Sequence, residues 1–209
     1  MISLPRFYPI LDASCFSGTD ALLDAAEQLS RAGVQILQYR NKSGDAPRML
    51  IEAREVRQLL LYADPPAATK LIMNDRADLC LAADFDGVHV GQDDLSPESA
   101  RKIVGPDRWL GVSTHNPEQV READATSADY IAIGPVFGTA SKANPDPVVG
   151  LEGVRAAHRL TRKPLVAIGG ITRGNCRSVI EAGADSVAVI SDLIREPGKS
   201  AEEFFRILG

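Results

Sequence analysis

Three cations, two carboxylates and two neutral hydrogen-bonding side chains stand at the ends of short apolar runs in this chain. The cations are Arg40, Lys42 and Lys142, the carboxylates Asp75 and Asp94, the neutral groups Asn74 and Ser113. Together these types suit one task, holding a diphosphate with Mg2+. Mg2+ keeps most of its waters and takes one or two carboxylates plus phosphate oxygens. Arginine meets phosphate with a planar fork and lysine with a movable point charge. Zinc does not fit, because the only histidines are His89, His115 and His158 and none has ligand spacing. Helix N-capping is the competing reading of Asp75 and Asp94, since each precedes a helical pattern; for either residue alone it is as strong as metal binding. A second anion site is suggested by Gly169, Gly170 and Ser191. Glycines let a backbone approach phosphate closely, although a Gly-Gly pair is also what a tight turn needs.

These residues need a scaffold that brings distant strand ends together. Eight short runs read as strands: 7–12, 34–40, 70–75, 87–91, 109–114, 130–136, 164–171 and 186–191. They are continuously apolar, as expected of parallel strands buried on both faces. Helical patterns separate them. "TDALLDAAEQLSRAG" starts with Thr19 as an expected N-cap and closes at Gly33; "SPESARKIVG" has Ser96 at the cap, Pro97 in the first turn and Gly105 after the end. A weak repeat links "RAGVQILQYR", "AADFDGVHVG", "TSADYIAIG" and "EAGADSVAVIS". Eight strand–helix alternations predict a single α/β domain over 1–209, a (β/α)8 TIM barrel at the small end of its size range. An open doubly wound sheet is the runner-up, but its Gly-rich fingerprint after the first strand is missing. In a barrel the chemistry sits at the C-terminal ends of the strands, where the polar residues fall. The segment "GPVFGTASKANPDPVVGLEG" (134–153), with Thr139, Ser141, Lys142 and three prolines, is long for a loop in a compact domain, and such loops are usually functional or disordered.

Composition narrows the class. The 209 residues are 44% hydrophobic and 24% charged, which is ordinary for a soluble protein with a core. A net charge of −5 gives no electrostatic reason to expect nucleic acid as a partner. No stretch approaches the roughly 18 apolar residues of a membrane span, and the opening "MISLPRFYPILDAS" does not read as a signal peptide. Three cysteines, Cys15, Cys80 and Cys176, cannot all pair within the chain, and none forms C-x-x-C; a reducing cytoplasm and small buried hydrophobes are the simplest expectations. Small-molecule substrates are expected, and a homo-oligomer is left open.

The segments "QYRNK", "MNDRADLC", "GVHVGQDDLS", "GVSTHN", "GPVFGTASKANPDPVVGLEG", "AIGGIT" and "VAVISDL" resemble, in their usual order, the thiamine-phosphate synthase family. The resemblance covers about residues 38 to 193. It implies a (β/α)8 barrel that joins hydroxymethylpyrimidine diphosphate to a thiazole phosphate, releasing diphosphate and giving thiamine phosphate. The reaction it implies is dissociative and Mg2+-assisted: diphosphate leaves, and the thiazole nitrogen traps a pyrimidine-methyl cation. The residues implied for the pyrimidine diphosphate are Gln38, Tyr39, Arg40, Asn41, Lys42, Asn74, Ser113 and Lys142, with His89 flanking the pyrimidine. Asp75 and Asp94 are implied to hold Mg2+. Thr139, Ala140 and Ser141 are implied to meet the thiazole partner, with Gly170, Ile190 and Ser191 closing on its phosphate. Arg40, Lys42 and Lys142 are the implied catalytic cations.

The chain departs from the family pattern at Tyr39 and Asn41, where Gln-Leu-Arg-Glu-Lys is common, and at Thr139-Ala140-Ser141, where Thr-x-Thr is common. Two rival activities share the fold. A thiazole tautomerase would use His115 for proton transfer and would not require the cations and carboxylates together. A non-catalytic ligand-binding barrel would bind without turnover.

Overall fold

A computed structural model describes residues 2–63, 69–139 and 146–209. Strands and helices alternate in order: β1 (Phe7–Asp12), α1 (Thr19–Arg31), β2 (Ile36–Arg40), α2 (Ala46–Leu61), β3 (Lys70–Asn74), α3 (Ala77–Ala82), β4 (Gly87–Val90) and α4 (Pro97–Val104). The second half repeats the pattern: β5 (Trp109–Thr114), α5 (Pro117–Asp124), β6 (Tyr130–Ile133), α6 (Gly150–Leu160), β7 (Leu165–Ile168), α7 (Cys176–Glu181), β8 (Ser186–Val189) and α8 (Pro197–Leu208). Each strand pairs in parallel with the next, and β8 pairs with β1, so the sheet closes into a barrel. All eight expected strands are present, each within its expected range. No helix among the described residues is long and apolar enough to cross a membrane.

The period of two along each strand sorts side chains into two cores. Outward positions such as Phe7, Leu11, Leu37, Tyr39, Met73 and Val88 pack with the helices. Inward positions Tyr8, Ile10, Ile36, Ile72, Tyr130, Ala132, Val166 and Ala188 fill the barrel, with Ile2, Leu4 and Trp109 packed against them. Gly111 makes room for this interior, since a Cβ there would lie 2.1 Å from the Tyr130 ring and 2.4 Å from His89 Nδ1. Phe7 on β1 stacks on Phe204 of α8 at 4.7 Å and meets Phe205 edge-on at 5.6 Å, tying the first strand to the last helix.

The sequence repeat has a structural cause at three of its four sites. Asp86, Asp129 and Asp185 each precede an even-numbered strand, and each forms two hydrogen bonds to the preceding odd strand. Their backbone N–H groups donate to the carbonyls of Leu71, Leu110 and Leu165 at 2.7–2.8 Å. Their carboxylates accept from the backbone N–H groups of the same leucines at 2.8–2.9 Å. Gln35 holds the equivalent place before β2 and accepts from the Lys70 N–H through its carbonyl.

Helix ends follow the expected chemistry with one correction. Ser96 caps α4, accepting from the Ser99 N–H, and Gly105 follows the last turn at φ 77. Gly18, rather than Thr19, occupies the cap of α1. Thr19 is the first helical residue, and its hydroxyl donates instead to Glu52. Cys80 and Cys176 are buried, whereas Cys15 is half-buried.

Candidate active site

The C-terminal ends of the strands surround a cavity of about 720 Å3, within the range of small-molecule sites. On the side built by β2 to β5 its wall includes Gln38, Arg40, Lys42, Asn74, Asp75, Asp94 and Ser113. On the side of β6 to β8 it includes Thr139, Gly170, Ile190 and Ser191. Ala140, Ser141 and Lys142 lie outside the described residues.

Tyr39 and Asn41 are placed differently from their neighbours. Neither side chain lines the cavity. Strand pleating sends Arg40 and Lys42 to the mouth and Tyr39 and Asn41 toward α2. There the Tyr39 hydroxyl donates to Glu52 Oε2 at 2.6 Å and Asn41 Nδ2 to the same oxygen at 2.9 Å. Arg48 Nε and Thr19 Oγ1 donate to the other oxygen at 2.8 and 3.1 Å. Burial disfavours the Glu52 carboxylate, but these donors outweigh it and hold its pKa below the usual glutamate value. The departures at Tyr39 and Asn41 therefore share one partner, Glu52.

Asp75 follows β3 in left-handed backbone, φ 61, which aspartate tolerates better than most residues. Its backbone N–H donates to the His89 carbonyl at 2.7 Å. The carboxylate lies in contact with the Lys42 ammonium and within hydrogen-bonding reach of Asp94. Burial, followed by the Asp94 carboxylate, pushes its pKa up to about 6, while Lys42 pulls it down. Asp94 also accepts from the Gly91 N–H at 2.8 Å. Neither aspartate caps a helix: the α3 cap position is Arg76 and that of α4 is Ser96. The capping reading is thereby removed.

The residues present fit a magnesium ion. Two carboxylates, Asp75 and Asp94, close enough to repel each other, would form the donor set. A pair of carboxylates suits an ion that completes its shell with water and phosphate oxygens. The wall of the cavity also carries Asp93 and Asp146. Arg40 and Lys42 are each already paired with a carboxylate, so an anion entering here gains from an added cation. Asn74 Nδ2 is buried without a hydrogen-bond partner among the described residues, and such a donor is costly unless a ligand meets it.

Below the mouth runs a hydrogen-bonded chain of buried side chains. Gln38 Nε2 donates to the Tyr8 hydroxyl at 2.9 Å, which lies 3.1 Å from the Tyr130 hydroxyl. His89 joins Tyr130 at 3.1 Å through Nδ1 and Ser113 Oγ at 2.9 Å through Nε2. Burial raises the pKa of both phenols, so they remain neutral hydroxyls. Tyr8 and Tyr130 do not stand out in the sequence because they sit inside apolar strands; inward parity with Gln38 and His89 is the signal that marks them.

On the other side, the segment after β6 runs along the end of β7. Val136 and Phe137 donate backbone bonds to the carbonyls of Ile168 and Gly169 at 2.9 and 3.0 Å. Gly170 has φ 63, and a Cβ there would lie 2.5 Å from the Gly138 carbonyl oxygen. Only glycine allows this approach. His115 Nδ1 lies 2.5 Å from the Gly134 carbonyl, and its Nε2 lies 3.4 Å from Asp146, so one imidazole touches both ends of the long loop.

A family model described as thiamine monophosphate synthase matches residues 7–193. The chain is 59% identical over 210 residues to the thiamine-phosphate synthase of Koribacter versatilis, covering 99% of this chain and 97% of that one. It is 41% identical over 191 residues to the thiamine-phosphate synthase of Chloroflexus aurantiacus, covering 90% and 85%. Among solved structures, it is similar to the thiamine phosphate pyrophosphorylase from Pyrococcus furiosus, with a TM-score of 0.84, 31% identity and coverage of 97% and 95%.

Proposed function

The chain belongs to the thiamine monophosphate synthase family and is a transferase that makes thiamine phosphate, and from that premise we propose how its residues divide the work. The β2–β5 side of the cavity takes the pyrimidine diphosphate, and the β6–β8 side takes the thiazole phosphate. The observation that carries this reading is the Asp75–Asp94 carboxylate pair beside Lys42 and Asn74, in one cavity with Arg40.

Asp75 and Asp94 would hold Mg2+, which when bound would supply positive charge to the leaving diphosphate. Arg40, Lys42 and, from the sequence, Lys142 add charge on the same leaving group. Such stabilisation acts mainly in the transition state. Asn74 Nδ2 offers a donor that has no partner among the described residues. Gln38, Tyr8, His89 and Ser113 line the cavity and orient the heterocycle by hydrogen bonds, with Tyr130 behind them bonded to Tyr8 and His89. The acceptor thiazole nitrogen carries no proton, so no general base is required. Gly170, Ile190 and Ser191 close on the second substrate's phosphate, and Thr139, with Ala140 and Ser141 in sequence, meets its thiazole, at the distance and angle that capture needs.

The test is formation of thiamine phosphate from the two substrates with graded Mg2+ and with excess EDTA. Product that rises with Mg2+ and disappears in EDTA is expected. Full synthesis in EDTA overturns the metal assignment. Isomerisation of a thiazole phosphate, unaffected by EDTA and lost in His115→Ala, would favour the tautomerase instead.

A further inference from the structure

We propose that Asp12 is a positioning residue that fixes the guanidinium of Arg40 for the leaving diphosphate; this rests on the proposed role of Arg40. Asp12 and Arg40 are direct neighbours on β1 and β2 in the barrel register. Asp12 Oδ2 accepts from Arg40 Nη1. Asp12 Oδ1 accepts from the Ser14 N–H at 3.1 Å and the Ser14 hydroxyl at 2.7 Å. Both oxygens are thus committed to protein donors. The residue is only 2% exposed and does not line the cavity, whereas Arg40 does. Asp12 is therefore placed to act on the arginine and not on the ligand.

The reason for such an arrangement is geometric. A free arginine side chain samples many rotamers, and ordering it on binding costs affinity. A carboxylate on one Nη leaves the remaining N–H groups of the planar fork facing a fixed direction. The attached charge lowers the net positive field of Arg40, so the benefit lies in orientation rather than in charge. β2 is restrained on both flanks in this way: Arg40 pairs with Asp12 of β1, and Lys42 pairs with Asp75 after β3. The two carboxylates differ in role, because Asp75 faces the cavity and Asp12 does not.

A double-mutant cycle on the full chain tests this, with Asp12→Asn, Arg40→Gln and the double variant. The readouts are the dissociation constant of inorganic diphosphate with Mg2+ by calorimetry, and kcat and KM for each substrate. Asp12→Asn keeps the shape and an oxygen for Ser14, but turns an amide donor toward Arg40. It should weaken inorganic diphosphate binding and lower kcat/KM for the pyrimidine diphosphate by roughly tenfold. KM for the thiazole phosphate should stay unchanged. In the Arg40→Gln background the same substitution should have less than about a twofold effect. Equal effects in both backgrounds, or a matching rise in KM for the thiazole phosphate, mean that Asp12 supports the fold in general, and overturn the proposal. A neutral Arg40→Gln instead overturns the role of Arg40, so the two failures are distinguishable. Should Asp12→Asn fail to fold, Ser14→Ala takes its place. It removes one bond to Asp12 without exposing the charge, and should weaken diphosphate binding by about threefold only when Arg40 is present. Wild-type binding in Ser14→Ala overturns the proposal.

Discussion

Asp75 combines left-handed backbone with a carboxylate whose pKa stands at about 6 because of burial and the neighbouring Asp94. A residue placed for stability alone would not bring its charge against another of the same sign. The expected outcome of Asp75→Asn is therefore two-sided. Asparagine accepts left-handed backbone and removes the repulsion, so the melting temperature should not fall. Thiamine phosphate synthesis should nearly vanish, by at least about a hundredfold, because the pair proposed to hold Mg2+ is broken. Asp94→Asn should behave alike, since an amide oxygen can still accept from Gly91. Rates with graded Mg2+, measured beside melting curves, decide it; a folded variant with wild-type rate would sink the assignment. At this scale residue type and strand-end position are enough to make Arg40, Lys42, Asn74, Asp75 and Asp94 readable from the sequence. Tyr39 and Asn41 are not, because five consecutive residues do not form one contact surface. A strand alternates, and the outward pair meets Glu52, which comes from α2 and has no signature in sequence.

Two elements carry more of the architecture than their sequence suggests. The aspartates before β4, β6 and β8 each close a two-bond ring on the preceding strand. Asp129 in addition takes the Arg101 guanidinium at 2.6 Å. Asp129→Ala leaves the Leu110 N–H and Arg101 without this acceptor, which should cost roughly 1–3 kcal/mol and lower the melting temperature by about 2–4 °C for each kcal/mol in a chain of this size. The site lies at the opposite end of the barrel, so kcat of the folded variant should be unchanged; a tenfold lower kcat would show that the ring reaches the mouth. The second element is the α1–β2–α2 corner around Glu52. Its pKa is depressed, so its contribution is present above the ordinary glutamate value of about 4.3 and fades as pH falls through the folded value. Urea unfolding at pH 7 should find Glu52→Gln clearly less stable than wild type. Below pH 4 the gap should narrow, and a gap that stays constant would assign the effect to packing. The repeat is legible in the sequence as a pattern of small residues and turns. Its cause is not, because a carboxylate folded onto a backbone N–H of another strand is a tertiary bond. Thr19 illustrates the same limit: its sequence neighbours suggest a cap because caps are local, whereas its actual partner is 33 residues away.

Across the whole barrel, the substrates' two phosphate-bearing groups are assigned to separate arcs of one rim. Eight alternations make the closed sheet readable from strand count and length, because parallel strands buried on both faces leave few other architectures. The hydrogen-bonded chain through Tyr8, Tyr130 and His89 is less readable, since the tyrosines count as apolar core until their ring directions are known. Separate arcs imply separable effects, and this gives a test of the division itself. Ser191 follows β8 and lines the cavity; Asn74 ends β3 with a buried donor that has no partner among the described residues. Each hydrogen bond to a charged phosphate is worth about 1.5–3 kcal/mol, or roughly one to two powers of ten in affinity. Ser191→Ala should raise KM for the thiazole phosphate by about tenfold or more and leave KM for the pyrimidine diphosphate within about twofold. Asn74→Ala should do the reverse. It also removes an unsatisfied buried amide, so its melting temperature should hold despite the lost side chain. Initial rates with one substrate saturating and the other varied, for both variants, supply the comparison. Two variants that raise both Michaelis constants equally would mean that the mouth acts as a single shared anion site. In that case the sorting of residues by strand would be abandoned, although the Asp75–Asp94 pair would keep its own separate test.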